Sequence, residues 1–100
     1  MDDAVLELEV GGPIVHWRGP SPYYFVAVPA DESAAVRAIA AHVTYGWGVI
    51  PVRVELGSSE WQTSLFPKDG RYLVPIKDAI RRAEEVGEGD EVELRLVVGR

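Results

Sequence analysis

The stretch VRVELGSSEWQTSL, residues 52–65, decides the fold class of this chain. Apolar or β-branched side chains recur at every second position on both sides of Gly57-Ser58-Ser59. A period of two is typical of a strand with one wet face, and a short Gly–Ser segment between two such runs predicts a β-hairpin. The alternating residues are Val52, Val54 and Leu56 before the turn, and Trp61, Thr63 and Leu65 after it.

Further strands are predicted outward from this hairpin. They share alternation or an enrichment in aromatic and β-branched residues. Gly11-Gly12-Pro13 is expected to interrupt the first run, as a bulge or as a break, and Pro67-Lys68-Asp69-Gly70 predicts a turn. The predicted strands are Leu6–Val10, Ile14–Arg18, Tyr23–Val28, Tyr72–Ile76 and Val92–Val98.

Two helices separate these strands. Apolar residues at helical spacing and acidic groups at the start predict the first helix over Asp31–His42. The second follows Ile76, with Gly87 as its C-terminal stop. Its inner face is predicted to carry Ala79, Ile80, Ala83 and Val86.

The element order, strand–strand–helix–strand twice over, indicates an internal duplication. Tyr24–Pro29 precedes the first helix as Tyr72–Ile76 precedes the second, and Val52–Leu56 resembles Val92–Leu96. The offset drifts between matched segments, so a true pseudo-twofold and a chance likeness of two amphipathic units both stay open.

Composition sets the broad class. One hundred residues, 47% hydrophobic and 26% charged, predict a single globular domain over 1–100. The absence of cysteine excludes disulfides and thiolate metal sites, and no cofactor is predicted. An acidic start without an apolar run, and no membrane-length stretch, predict a cytoplasmic protein away from membranes. A monomer is also expected. A net charge of −6 argues against general nucleic-acid binding.

Several motifs follow one another in an order and spacing that match a known family: WRGP at 17–20, YFV at 24–26, YGWGVIPV at 45–52, SLFPKDG at 64–70 and YLVPIK at 72–77. Together they resemble the prokaryotic family called domain of unknown function 1905. The resemblance implies an α+β, mainly β fold: a double-split β-barrel, or pseudobarrel, from two strand–strand–helix–strand halves with two short helices. That shape is related to transition-state-regulator and antitoxin DNA-binding folds. The family's activity is not established, so the resemblance implies a fold more than a function.

Catalysis has little support in the sequence. Without cysteine, a nucleophile would need a serine or threonine with a histidine base, and the histidines are His16 and His42. Ser64 lies on a predicted strand without a glycine elbow. No catalytic residue is therefore assigned, and a binding or interaction module is preferred over an enzyme without a recognisable motif.

An aromatic pocket is the preferred ligand hypothesis. The glycines of Tyr45-Gly46-Trp47-Gly48 let the backbone bend sharply and present Trp47, either to cap the core or to stack on a ligand. Tyr45 belongs to the same loop, and Trp17, Tyr23, Tyr24 and Trp61 would line the region if strand pairing brings them together.

An anion site is the second hypothesis. The second helix begins near Lys77, where free backbone N–H groups favour anions, and Lys68 and Arg71 would add positive charge. These residues belong to a basic cluster from Lys68 to Arg82 that also contains Arg81 and Arg82. That cluster is the sole support for a nucleic-acid-associated regulator, which enters through the fold analogy.

Overall fold

The computed structural model describes residues 6–43 and 50–98, and it places seven strands and two helices in them. In chain order they are β1 (Leu6–Pro13), β2 (Val15–Trp17), β3 (Tyr23–Ala27), α1 (Ala30–Val43), β4 (Ile50–Leu56), β5 (Ser59–Lys68), β6 (Arg71–Pro75), α2 (Asp78–Glu84) and β7 (Glu91–Val98).

All seven strands form one antiparallel sheet in the order β1-β7-β4-β5-β6-β3-β2. The ten-residue β5 connects its two halves. It pairs with β4 from Ser59 to Leu65 and with β6 from Phe66 to Lys68, so its partner changes between Leu65 and Phe66. The sheet bends at this point and curls around an apolar interior. The mainly β class with two helices is thereby confirmed.

The interior consists of the side chains that the alternation assigned to it. Val54 and Leu94 are fully buried, as predicted. Trp61 is also buried, and its Nε1 donates a hydrogen bond to the carbonyl of Pro75 at 3.3 Å. Its indole belongs to the core cluster. The expectation that it lines a pocket with Trp47 stays a prediction, because Trp47 lies outside the described residues.

The predicted interruption of the first strand is wrong. Gly11, Gly12 and Pro13 continue the ladder of β1 and lie opposite Glu93, Val92 and Glu91 of β7. The break falls at Ile14 instead. Its N–H donates to the carbonyl of Asp90, and its own carbonyl accepts from the N–H of Gly89.

The turn after β5 is also shorter than expected. Pro67 and Lys68 still pair within the strand, and Asp69 and Gly70 form the turn with positive φ angles of 52° and 81°. Two consecutive positive φ values fit the tight turn that the right-handed twist of a hairpin favours.

The first helix agrees with its prediction, whereas the second is shorter. α2 ends at Glu84, and Glu85, not Gly87, takes the left-handed conformation at φ 57°. Ala79 and Ala83 are exposed, so only Ile80 and Val86 contact the core from the predicted inner face. No helix of the described ranges is both long and apolar enough to cross a membrane.

One polar side chain fixes α1 against the sheet. The Oγ of Ser33 is completely buried; it donates to the carbonyl of Val28 at 3.0 Å and accepts the N–H of Tyr72 at 3.1 Å. Val36, one turn later, is buried against the core. A single hydroxyl thus links the first turn of α1 to the ends of β3 and β6.

Replacing this hydroxyl should destabilise the protein. We expect Ser33→Ala to lower the free energy of unfolding by about 1–3 kcal/mol, because the buried N–H of Tyr72 loses its acceptor. Chemical denaturation measures the change, with the exposed Ser21→Ala as matched control. An equal, small effect of both substitutions would contradict this role.

Candidate ligand-binding groove

A groove of about 510 Å³ lies where the start of β3 and the end of β2 face the start of α2. The strands contribute His16, Tyr23 and Tyr24, and the helix end contributes Lys77, Asp78 and Arg81. The position follows from the topology. Ile76 donates its N–H to the carbonyl of Tyr24, which places the start of α2 beside β3.

The ring of Tyr24 is the centre of the groove. His16 lies directly opposite it in the β2–β3 ladder, and the two rings stack with centroids 4.2 Å apart and planes 3° from parallel. The guanidinium carbon of Arg81 lies 3.5 Å from the centroid of the same ring. Two groups this close to one centroid would collide on one face, so His16 and Arg81 occupy opposite faces of Tyr24.

Arg81 is held more firmly than a surface arginine. Its side chain is 16% exposed, and Nη2 donates to the carboxylate of Asp78 one turn earlier. Its Nε is buried and has no hydrogen-bond partner within the described residues. Stacking on Tyr24 and the pairing with Asp78 restrict the guanidinium to one orientation, while part of its hydrogen-bonding capacity is unused.

Lys77 adds a second cation to the groove. It is the N-cap residue of α2, its side chain is exposed, and its carbonyl accepts the N–H groups of Ile80 and Arg81. Lys77 and Arg81 together outweigh the single carboxylate of Asp78. The groove therefore favours negative charge in a protein whose net charge is −6.

The predicted site residues lie in three places. Tyr24 and Lys77 meet in the groove. Trp17 and Lys68 meet elsewhere, with Lys68 Nζ 5.5 Å from the centroid of the Trp17 ring. Arg71 donates from Nε to the carbonyl of Val28 at 2.9 Å, so it braces the end of β3. Tyr45 and Trp47 lie outside the described residues, and the pocket predicted beside Trp47 stays a prediction.

The anion hypothesis required Lys77, Lys68 and Arg71 to lie close together, and in the structure they do not. Arg71 precedes Lys77 by six residues of mostly extended chain, roughly 20 Å at the rise of a strand. α2 has just seven residues, and Asp78 already places a carboxylate in its first turn. The positive charge beside Lys77 comes instead from Arg81.

Sequence reasoning missed His16 and Arg81 as groove residues. His16 was considered only as a possible base, and Arg81 only as part of the basic cluster from Lys68 to Arg82. A signal existed for each. His16 alternates with Val15 and Trp17 on β2, so its side chain lies on the other side of the strand. Arg81 follows Lys77 by four residues, which places Lys77 and Arg81 on one side of a short helix. Their meeting at Tyr24 depends on strand register, which neither signal contains.

A second, smaller hollow of about 220 Å³ lies on the other half of the sheet. Glu9, Glu55 and Glu93 line it with Arg95. Within residues 6–43 and 50–98, no group of three carboxylates or histidines converges as metal ligands would. We therefore place the candidate site in the groove around Tyr24.

Comparison with known families gives a match over most of the chain. The family model of a domain of unknown function, DUF1905, matches residues 11–96. The chain belongs to this family. The match confirms the resemblance stated from the motifs, and it begins at Gly11, so most of β1 precedes it. Among curated proteins, no match was found.

The stack at the centre of the groove can be measured as a coupling energy. In a double-mutant cycle of Tyr24→Leu with Arg81→Gln, we expect about 1–2 kcal/mol of interaction, because the contact is largely desolvated. Chemical denaturation of the four proteins gives this value.

The matched control pairs Tyr24→Leu with Arg82→Gln, since Arg82 is exposed and does not line the groove. These two substitutions should add to within about 0.5 kcal/mol. Additive behaviour of Tyr24 and Arg81 would contradict the stacked arrangement.

Proposed function

We propose that the protein is a small binding module that holds a compact, negatively charged small molecule in the groove around Tyr24. The observation that carries the proposal is the stack of His16, Tyr24 and Arg81, which fixes a guanidinium beside Lys77 in a groove of about 510 Å³. A pocket lined by a few convergent polar groups is the usual form of a ligand site.

The stack also defines the kind of ligand. Both faces of the Tyr24 ring are occupied, by His16 and by Arg81, so a planar ligand cannot stack there. What remains is hydrogen bonding to Arg81 and charge attraction to Lys77. Carboxylates and phosphates match a guanidinium because their oxygens accept its parallel N–H groups.

We further propose that the curled sheet is a double-split β-barrel built from two related halves. The register supports this. Val26 pairs with Val74, and these residues hold equivalent positions in the segments that resemble each other. β1 and β2, with the bend at Ile14 between them, correspond to the single strand β5. β1 pairs with β7 as the first part of β5 pairs with β4, and β2 pairs with β3 as the second part of β5 pairs with β6. Such a barrel gives the groove a rigid wall of strands.

Titration with inorganic phosphate at constant ionic strength tests the binding proposal. We expect saturable changes in the amide NMR signals of Lys77–Arg81 and His16. Arg81→Gln should weaken apparent binding about ten-fold or more, because a hydrogen bond to a charged group contributes about 1.5–3 kcal/mol. Citrate serves as the carboxylate probe in the same experiment.

Arg82→Gln is the control with the same change of charge on the same helix, and it should alter binding by less than about two-fold. Uniform, non-saturating shifts would overturn the proposal. An equal loss in both arginine variants would do the same, because it would indicate general attraction to charge and not a site.

A further inference from the structure

The groove around Tyr24 is larger than its cations require. Its volume of about 510 Å³ lies within the roughly 300–1,000 Å³ of sites that bind whole organic molecules. A phosphate ion at the cations would occupy only a small part of that volume. The rest of the lining includes Pro22, Pro75 and Ile76, which we call the apolar wall.

The apolar wall offers a ligand no backbone N–H. Pro22 and Pro75 have none, and the N–H of Ile76 donates to the carbonyl of Tyr24 at 2.9 Å. The carbonyl of Pro75 already accepts the indole N–H of Trp61 at 3.3 Å. A ligand hydroxyl placed against this wall would lose water without gaining a backbone donor, which is unfavourable. Aliphatic carbon would lose no hydrogen bond there and would leave water.

The charged end of the groove matches a single negative charge. Lys77 and Arg81 are cationic and Asp78 is anionic, so one positive charge is left when His16 is counted as neutral at pH 7. A carboxylate carries one negative charge, whereas a phosphate monoester carries about −1.5 to −2 at that pH. The charges of the groove therefore favour a monocarboxylate.

The guanidinium of Arg81 has donors left for such a carboxylate. Nη2 donates to Asp78, and Nε is buried without a partner in the described part of the chain. The face of the guanidinium lies against the ring of Tyr24. Because its N–H groups lie in the guanidinium plane as a fork, stacking leaves them available at the rim. A carboxylate can accept there without displacing the ring.

We propose that the groove binds a short aliphatic monocarboxylate, with its carboxylate at Arg81 and Lys77 and its chain along the apolar wall. This inference rests on the proposed function and narrows its class of ligand. The chain is aliphatic and not aromatic, because His16 and Arg81 already occupy the two faces of Tyr24. Sugar phosphates and polyhydroxy acids are disfavoured, because the apolar wall has no backbone N–H for their hydroxyls.

A series of acids of increasing length tests the proposal by NMR titration at pH 7 and constant ionic strength: acetate, butyrate, hexanoate and octanoate. Each methylene that enters the groove should tighten binding about two- to four-fold, because it removes apolar surface from water. The amide signals of Tyr24, Ile76 and Arg81 should shift and saturate. Gluconate has the charge and carbon number of hexanoate but a hydroxylated chain, and it should bind about ten-fold more weakly or worse.

The same chain without a carboxylate isolates the contribution of the charged end. Hexan-1-ol and hexylamine should bind about ten-fold more weakly than hexanoate or worse, because neither accepts the N–H groups of Arg81 as an anion does. Arg81→Gln should weaken hexanoate by a similar factor. Arg82→Gln, on the exposed side of the same helix, should change hexanoate binding by less than about two-fold.

Two proline variants isolate the contribution of the apolar wall. Pro22→Ser removes an exposed part of it, and it should weaken hexanoate about three-fold or more while acetate and phosphate change by less than about two-fold. Pro20→Ser is the matched control, because Pro20 is an exposed proline of the same connection and does not line the groove. Both positions lie outside the strands and helices, so the fold should be retained.

The outcomes separate this inference from the proposed function. If phosphate and acetate bind in the groove but longer chains bind no tighter, or gluconate binds as well as hexanoate, the aliphatic ligand is overturned and the anion site stands. If no anion shifts the groove signals, both are overturned. Equal binding of hexylamine and hexanoate would overturn the inference, because it would indicate only an apolar surface. Tighter binding of N-acetylleucine than of hexanoate would overturn it as well and assign the groove to the C-terminal carboxylate of a peptide.

Discussion

The structure depends on the change of pairing partner within β5. Up to Leu65 the strand bonds to β4, and from Phe66 it bonds to β6. The first part of β5 therefore pairs along one backbone edge and the second part along the other edge, and the chain must bend between the two parts. Ile14 marks the same kind of bend on the other side, between β1 paired with β7 and β2 paired with β3. These two corners allow a sheet of short strands to enclose one interior.

A polar contact joins each helix to the strands. Ser59, at the start of β5, donates from Oγ to the carboxylate of Glu84 on α2 at 2.5 Å. Gly57 in the hairpin turn beside it has a φ of 58°, which favours glycine, and a Cβ there would displace the carboxylate of Glu84. α1 is joined to the ends of β3 and β6 by the hydroxyl of Ser33. A carboxylate and a buried hydroxyl thus position the two helices, and α2 in turn positions Arg81 against Tyr24.

The sequence predicted best the strands that have one buried side and one wet side. The period of two in Val52–Leu56 and Glu91–Leu96 records this directly, and burial follows it residue by residue up to Val97, which is buried as well. The continuation of β1 through Gly11–Pro13 was missed since glycine and proline usually end a strand, and here the ladder to β7 stabilises them. The end of α2 was missed because Glu85 adopts a left-handed conformation that favours glycine.

The candidate groove could not be predicted in the same way. Tyr24 was selected for its place in an aromatic segment and Lys77 for its place before a helix, and both line the groove. Neither clue indicates that His16 and Arg81 lie on the two faces of one ring. That arrangement requires the β2–β3 register, which places position 16 opposite position 24, and the contact of α2 with β3. Both are long-range pairings, and local patterns of polarity carry no information about them.

Net charge was the least informative property of the sequence, and the fold explains why. Alternation sends successive side chains to opposite sides of a sheet, so the charges of each strand reach the surface on one side only. Glutamates at alternate positions of β1 and β7 thereby collect on one half. The outward positions of β2 and β3 hold Val15, Trp17, Tyr23 and Phe25, with no charge among them. A total of −6 averages an acidic surface with an apolar one, and a partner encounters only one of them. Total charge can therefore exclude a class of ligand for the surface of the protein as a whole. It cannot exclude that class for a single face of the sheet.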